Sequence, residues 1–330
     1  MHILFKVSRS FSIVLFILPI LLGSCSDDSS DTTDNGNPQQ EEQGVDENPT
    51  PTNNTARLSA KQLYEDFYVA SATTASDSPW TGDEPSCNPG EIPQETKDKI
   101  QMRLSYYRQA VGLNNTIAEN PTKSTKAQQA ALMMNSNNNL DHFPPNSWKC
   151  FTTDGSEGAG NSLLALSRNA EAIDAYIRDQ GANNFPVGHR RWLLWPRLQE
   201  IGIGNTDRSN AVWVLGNAGS VPADNPEFIA WPPQGYTPNS LVFPRWSFSV
   251  ANADFTTTSI AMKDENDQNI SLSIETLDNA FGDRTIVWVP DGVTTNISAD
   301  TSYTVSLQNV IVDGESRNYE YEVILFDPLD

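Results

Sequence analysis

Gly188-His189-Arg190-Arg191-Trp192-Leu193-Leu194-Trp195-Pro196 packs an imidazole, two guanidiniums and two indoles into nine residues directly after Pro186. Downstream, residues 200–204 (EIGIG) and 211–215 (AVWVL) read as the two strands of a hairpin. His189 thus stands at the mouth of a hydrophobic, strand-forming segment, where it can face a cleft. The chain has three histidines, and His2 lies in a leader. The mature protein therefore has two imidazoles, His142 and His189, and both sit in segments that read as parts of one site. Trp192 and Trp195 are expected in the core and the cleft wall. One of Arg190 and Arg191 is expected to pair an acid near the cleft while the other is solvated.

The N-terminus sets where the protein works. Lys6 and Arg9 precede an apolar run from Phe11 to Leu22 that is too short to span a bilayer but suits a secretory signal. The run ends in Leu22-Gly23-Ser24-Cys25, which resembles the acylation site of bacterial lipoproteins. Residues 1–25 are read as a lipoprotein signal peptide with Cys25 carrying the lipid, which anchors the mature chain without spanning. From Ser26 to Thr55 there are eight carboxylates and no Lys or Arg. Residues 26–56 offer almost nothing to bury and read as a disordered acidic tether. The whole chain carries a net charge of −21, which argues against nucleic acid as a partner.

The folded part begins near Arg57. Ser59 can cap a helix carrying Leu63, Tyr64, Phe67 and Ala70, and Pro93 opens a second with Ile100, Leu104, Tyr107 and Val111 on one face. A third helix, about 125–139, has Ala127, Ala130, Ala131 and Met134 as a small-residue seam. His142 follows it. A fourth, 169–180, turns Ile173, Tyr176 and Ile177 inward and stops at Gly181. Cys87 and Cys150 are the two cysteines left after Cys25, and in an exported chain such a pair is most simply a disulfide.

Beyond Gly216 the composition changes. Residues 217–243 are rich in Pro, Gly and Asn and read as loops, with 221–243 taken as a linker. Residues 244–330 alternate between short apolar strands and turns such as Asp291-Gly292 and Asp313-Gly314, the pattern of an antiparallel β-sandwich, immunoglobulin-like. This part holds no histidine or cysteine, and a spacer or adhesion role suits it.

The order of these pieces resembles the CAP superfamily of cysteine-rich secretory, antigen 5 and pathogenesis-related 1 proteins. It runs from a helix with Tyr107-Arg108, through a helix ending near His142, a small-residue segment and a short helix, to Gly188-His189. The resemblance implies an α+β fold: a CAP-type α-β-α sandwich over 57–220, followed by the β-sandwich. It also implies a cleft lined by two histidines and two acids. Carried over, the histidines are His142 and His189 and one acid is Asp179, where Tyr176 stands in place of the family's more frequent Trp. The second acid falls on Ser162, with Glu157 as the nearest substitute.

Two imidazoles and a carboxylate can hold a divalent metal such as zinc, with His142, His189 and Asp179 as candidate ligands. They can act as general acid and base, or satisfy one another as a buried network. No Gly-x-Ser-x-Gly elbow exists. The leading expectation is binding of a small apolar ligand, a lipid for example, or a metal, by an exported protein anchored at the outer membrane or cell surface. The rivals are a histidine/acid or metal-dependent hydrolase acting on extracellular substrates, and an adhesion protein.

Overall fold

The computed structural model describes residues 51–330 apart from 75, 78 and 79, with side chains from residue 54 onward. The leader, Cys25 and the tether up to residue 50 lie outside the described residues. Helix α1 (Pro51–Leu63) runs into a wider π-type turn over Tyr64–Val69. It starts well before Ser59, so the last residues assigned to the tether are helical. Helix α2 (Gln94–Ala110) follows Pro93 and buries Ile100, Leu104 and Tyr107. A two-residue strand β1 (Ala118–Glu119) leads into α3 (Pro121–Asn137). The Asn120 side chain accepts from the N–H groups of Thr122 and Lys123, and Pro121 takes the first helical position. That Asn-Pro start explains why α3 begins before the expected Thr125.

Helix α4 (Thr153–Asn161) occupies the glycine-rich stretch before Ser162, capped by the Thr152 hydroxyl. Glycine is required there by contact: a Cβ on Gly158 would lie 2.3 Å from the Lys126 carbonyl oxygen of α3. Then come β2 (Ser162–Ala165), α5 (Glu171–Arg178), α6 (Gly188–Leu193), β3 (Glu200–Asn205) and β4 (Asn210–Trp213). The four strands form one sheet in the order β1-β3-β4-β2. Alternate residues of it face opposite cores, as a pleat demands. Leu163, Ile203 and Val212 join Ile100, Leu104 and Ile173 of α2 and α5. Leu164, Ala211 and Trp213 join Ala127, Ala130 and Ala131 of α3. Helices therefore cover both faces, with the small-residue seam of α3 seated directly on the sheet.

The remainder is strand. The segments are β5 (Ile229–Trp231), β6 (Gly235–Pro238), β7 (Trp246–Val250), β8 (Ala253–Asp254) and β9 (Ser259–Asp264). They continue with β10 (Asn269–Ile270), β11 (Leu272–Ile274), β12 (Arg284–Pro290), β13 (Thr301–Val312) and β14 (Glu315–Phe326). One sheet runs β10-β9-β13-β14-β6 with β8 also on β13, the other β11-β12-β7-β5. Trp246, Phe248, Trp288, Tyr303, Val305 and Val323 fill the space between them. Asp313 and Gly314, both at positive φ (52° and 87°), turn the β13–β14 hairpin.

Two readings are corrected here. The stretch 217–243 is not loop throughout: β5 and β6 lie in it, and Ile229, Trp231, Leu241 and Phe243 pack into the core beneath α2 and α5. Strands of three and four residues set among Pro, Gly and Asn show no alternation to read; tertiary burial alone defines them. Residues 188–193 form a helix, not the start of a strand. The Cys87–Cys150 disulfide is present, with Cα atoms 5.1 Å apart.

Candidate functional site

Helix α5 ends with Asp179 in the left-handed conformation (φ 50°), which turns its side chain back toward α6. The carboxylate is fully buried. Its Oδ1 lies 2.7 Å from His189 Nδ1, and its Oδ2 accepts from the His189 backbone N–H at 2.9 Å. Because a carboxylate only accepts, Nδ1 carries a proton and the neutral ring presents Nε2 as a lone pair. Tyr176 backs this ring with centroids 5.6 Å apart, its buried hydroxyl held by the Leu163 and Asn210 carbonyls.

His142 is locked in the same tautomer from another direction. Its Nδ1 lies 2.9 Å from the carbonyl oxygen of Ala159 at the end of α4. A carbonyl also only accepts, so here too Nε2 is the free atom.

His142 and His189 line one cavity of about 340 Å³, at the small end of the ligand-pocket range of roughly 300–1,000 Å³. Its walls are mostly apolar: Phe143, Leu163, Trp192, Val214, Leu215 and Phe281. Asn161, Asn183, Asn184 and Ser162 add polar edges. The Ser162 hydroxyl is buried and has no hydrogen-bond partner among the described residues. Such a group costs stability unless something in the cavity satisfies it.

Of the expected tetrad, His142, His189 and Ser162 reach the cavity. Asp179 touches His189 but is shut off from the space. Glu157 does not line it: on α4 it turns to Lys126, 2.6 Å away. Among the described residues no three His, Cys, Asp or Glu side chains come together as metal ligands. The zinc set of His142, His189 and Asp179 does not assemble, because the Asp179 carboxylate is already taken up by His189 and the backbone of α6.

Arg190 and Arg191 also depart from expectation. Both are buried, at 1% and 5% exposure, and among the described residues neither forms an ion pair with a carboxylate. Burial lowers the pKa of each to about 10. Arg191 staples the loop between β11 and β12 to α6 by donating to the carbonyls of Asp278 (2.8 Å) and Asp283 (2.9 Å). That loop delivers Phe281 to the cleft. Gly188 makes room for it, since a Cβ there would sit 2.9 Å from the Phe281 ring. No sequence signal pointed to Phe281, which lies 92 positions from His189 in a segment read as a separate domain. Phe143, next to His142, was findable by adjacency.

The geometry defines a cleft-bearing α-β-α sandwich with two tautomer-locked histidines. Residues 103–215 match the family model described as CAP, the cysteine-rich secretory protein family, so this chain carries a CAP domain. A search of curated proteins returned no match. No helix among the described residues is long and apolar enough to cross a membrane.

Proposed function

We propose that the cleft binds a small amphipathic molecule with an apolar body and a hydroxyl or N–H donor at its polar end. The observation that carries this is the pairing of an apolar cavity with two Nε2 lone pairs, His142 and His189, whose protons are committed elsewhere. The apolar walls reward burial at about 25 cal/mol per Å². The imidazole acceptors then select a donor over an anion. Octanol is therefore expected to bind roughly tenfold or more tightly than octanoate at pH 8, read by calorimetry, since a carboxylate facing acceptors stays unsatisfied. Phe281→Ala should weaken octanol with little change in stability. Equal binding of both compounds, or neither binding, contradicts the reading.

A second reading, hydrolysis, has one specific observation in favour. Asp179 orients His189 as a general base would be oriented, and the unpartnered Ser162 hydroxyl lies on the same cavity. No hydrogen bond joins that hydroxyl to either ring, so binding ranks first.

We propose further that Cys25 anchors the exported protein to a membrane, through the apolar run and Gly-Ser-Cys sequence before it. Fatty-acid label should enter the wild type and be absent from Cys25→Ala; label in that variant contradicts the anchor.

A further inference from the structure

Where α6 meets β7 and β12 there is a second, much smaller pocket of about 10 Å³, lined by Arg190, Arg191, Trp195, Ser247, Ser249 and Asp283 among others. That space admits about one water-sized occupant. Each of the two arginines that line it has one buried guanidinium nitrogen without a partner among the described residues, Arg190 Nη2 and Arg191 Nε. The other nitrogens of these groups are satisfied by neutral oxygens. Arg190 Nε donates to the Ile177 carbonyl at 2.7 Å, and its Nη1 to the Arg245 carbonyl (2.9 Å) and Ser247 Oγ (3.0 Å). Arg191 donates to the carbonyls of Asp278 and Asp283, and weakly to Pro186 at 3.4 Å.

One acid lines the pocket. Asp283 accepts from Trp195 Nε1 at 3.1 Å, and burial pushes its carboxyl above the usual range. Asp179, which also acts on Arg190, is engaged by His189, and Asp278 acts on Arg191 from beyond the lining. The lining itself carries two guanidiniums and one carboxylate, and a buried guanidinium nitrogen left without an acceptor calls for one.

We propose that this pocket binds a single chloride ion between Arg190 Nη2 and Arg191 Nε. The size admits a monatomic ion and excludes phosphate, sulfate or a carboxylate ligand. The guanidiniums exclude cations. Water would fill the space but leave the charge uncompensated. The consequence reaches the cleft, because the ion would tie α6, which carries His189, to the loop that carries Phe281. The inference does not depend on what the cleft binds.

The test uses the full chain. Replacing gluconate by chloride at constant ionic strength should raise the melting temperature saturably, by roughly 2–5 °C. Ser249→Thr keeps the hydroxyl that bonds Thr285 Oγ1 (2.7 Å) and adds a methyl at the pocket wall. It should fold normally in gluconate and lose the chloride response. Crystals grown in bromide should show one anomalous peak within about 3.5 Å of both arginine atoms. No difference between chloride and gluconate overturns the proposal, as does a pocket without anomalous signal, which would mean water. A bromide peak without any chloride response means an adventitious ion only and overturns it equally.

Discussion

Asp174→Ala lowers folding stability by about 3–5 kcal/mol, the cost of leaving a buried charge without its partner. Asp174 on α5 faces α2. Its carboxylate takes hydrogen bonds from Arg103, from Tyr107 at 2.7 Å and from Tyr68 at 3.2 Å. Arg103 is only 2% exposed and stacks on the Tyr68 ring, 3.8 Å from its centre. Burial raises the Asp174 pKa more than Arg103 and the hydroxyls lower it. For Arg103, burial lowers the pKa but Asp174 and the tyrosines together carry it above its ordinary value. Three donors converge on the Asp174 carboxylate and offset part of the burial cost, which still leaves the carboxyl above its ordinary range. The sign for pH follows from the raised Asp174 pKa. The fold binds that proton more tightly than the unfolded chain, so this group's contribution falls as pH rises from the ordinary carboxylate range through the folded pKa. Urea unfolding should show a lower midpoint for Asp174→Ala with an unchanged slope. A loss below about 1 kcal/mol would mean that Arg103 finds other partners or water.

Removing the Cys87–Cys150 bond is the second large effect. The cysteines are 63 positions apart, and closing a loop of that length contributes up to about 4 kcal/mol in the chain-entropy account. The double variant Cys87→Ser/Cys150→Ser should melt well below the wild type, and reductant should bring the wild type down to it. A wild type indifferent to reductant would show that the loop is held by its other contacts, such as the Asn135 and Arg208 bonds to Glu84.

Much of this was legible because the residues that mattered are rare. With His142 and His189 as the two histidines among the described residues, an imidazole cleft there had to use both, and Asp179 lay a short way before the latter. The seam of alanines on α3 was equally plain, and Gly202 and Gly204 answer it from β3: a Cβ on either would come within 2.5 Å of α3. What stayed hidden depended on contacts between distant segments. Arg190 and Arg191 read as one partner of a cleft acid and one solvated group until the sandwich is placed against α6. The helical winding of 188–193 was ambiguous because six residues carry less than two full turns. Glu157 looked available from its nearness to Ser162 in sequence alone; on helix α4 it is turned to Lys126.

The central claim is that His142 and His189, both protonated on Nδ1, offer their Nε2 atoms to one occupant of one cleft. It is tested most directly by long-range proton–nitrogen NMR on histidine-labelled mature protein at pH 8, titrated with octanol. Both rings should show the Nδ1–H tautomer before addition. Both Nε2 resonances should then move together, fitting a single Kd. A ring in the other tautomer, or one ring shifting while the other stays still, would contradict the shared site.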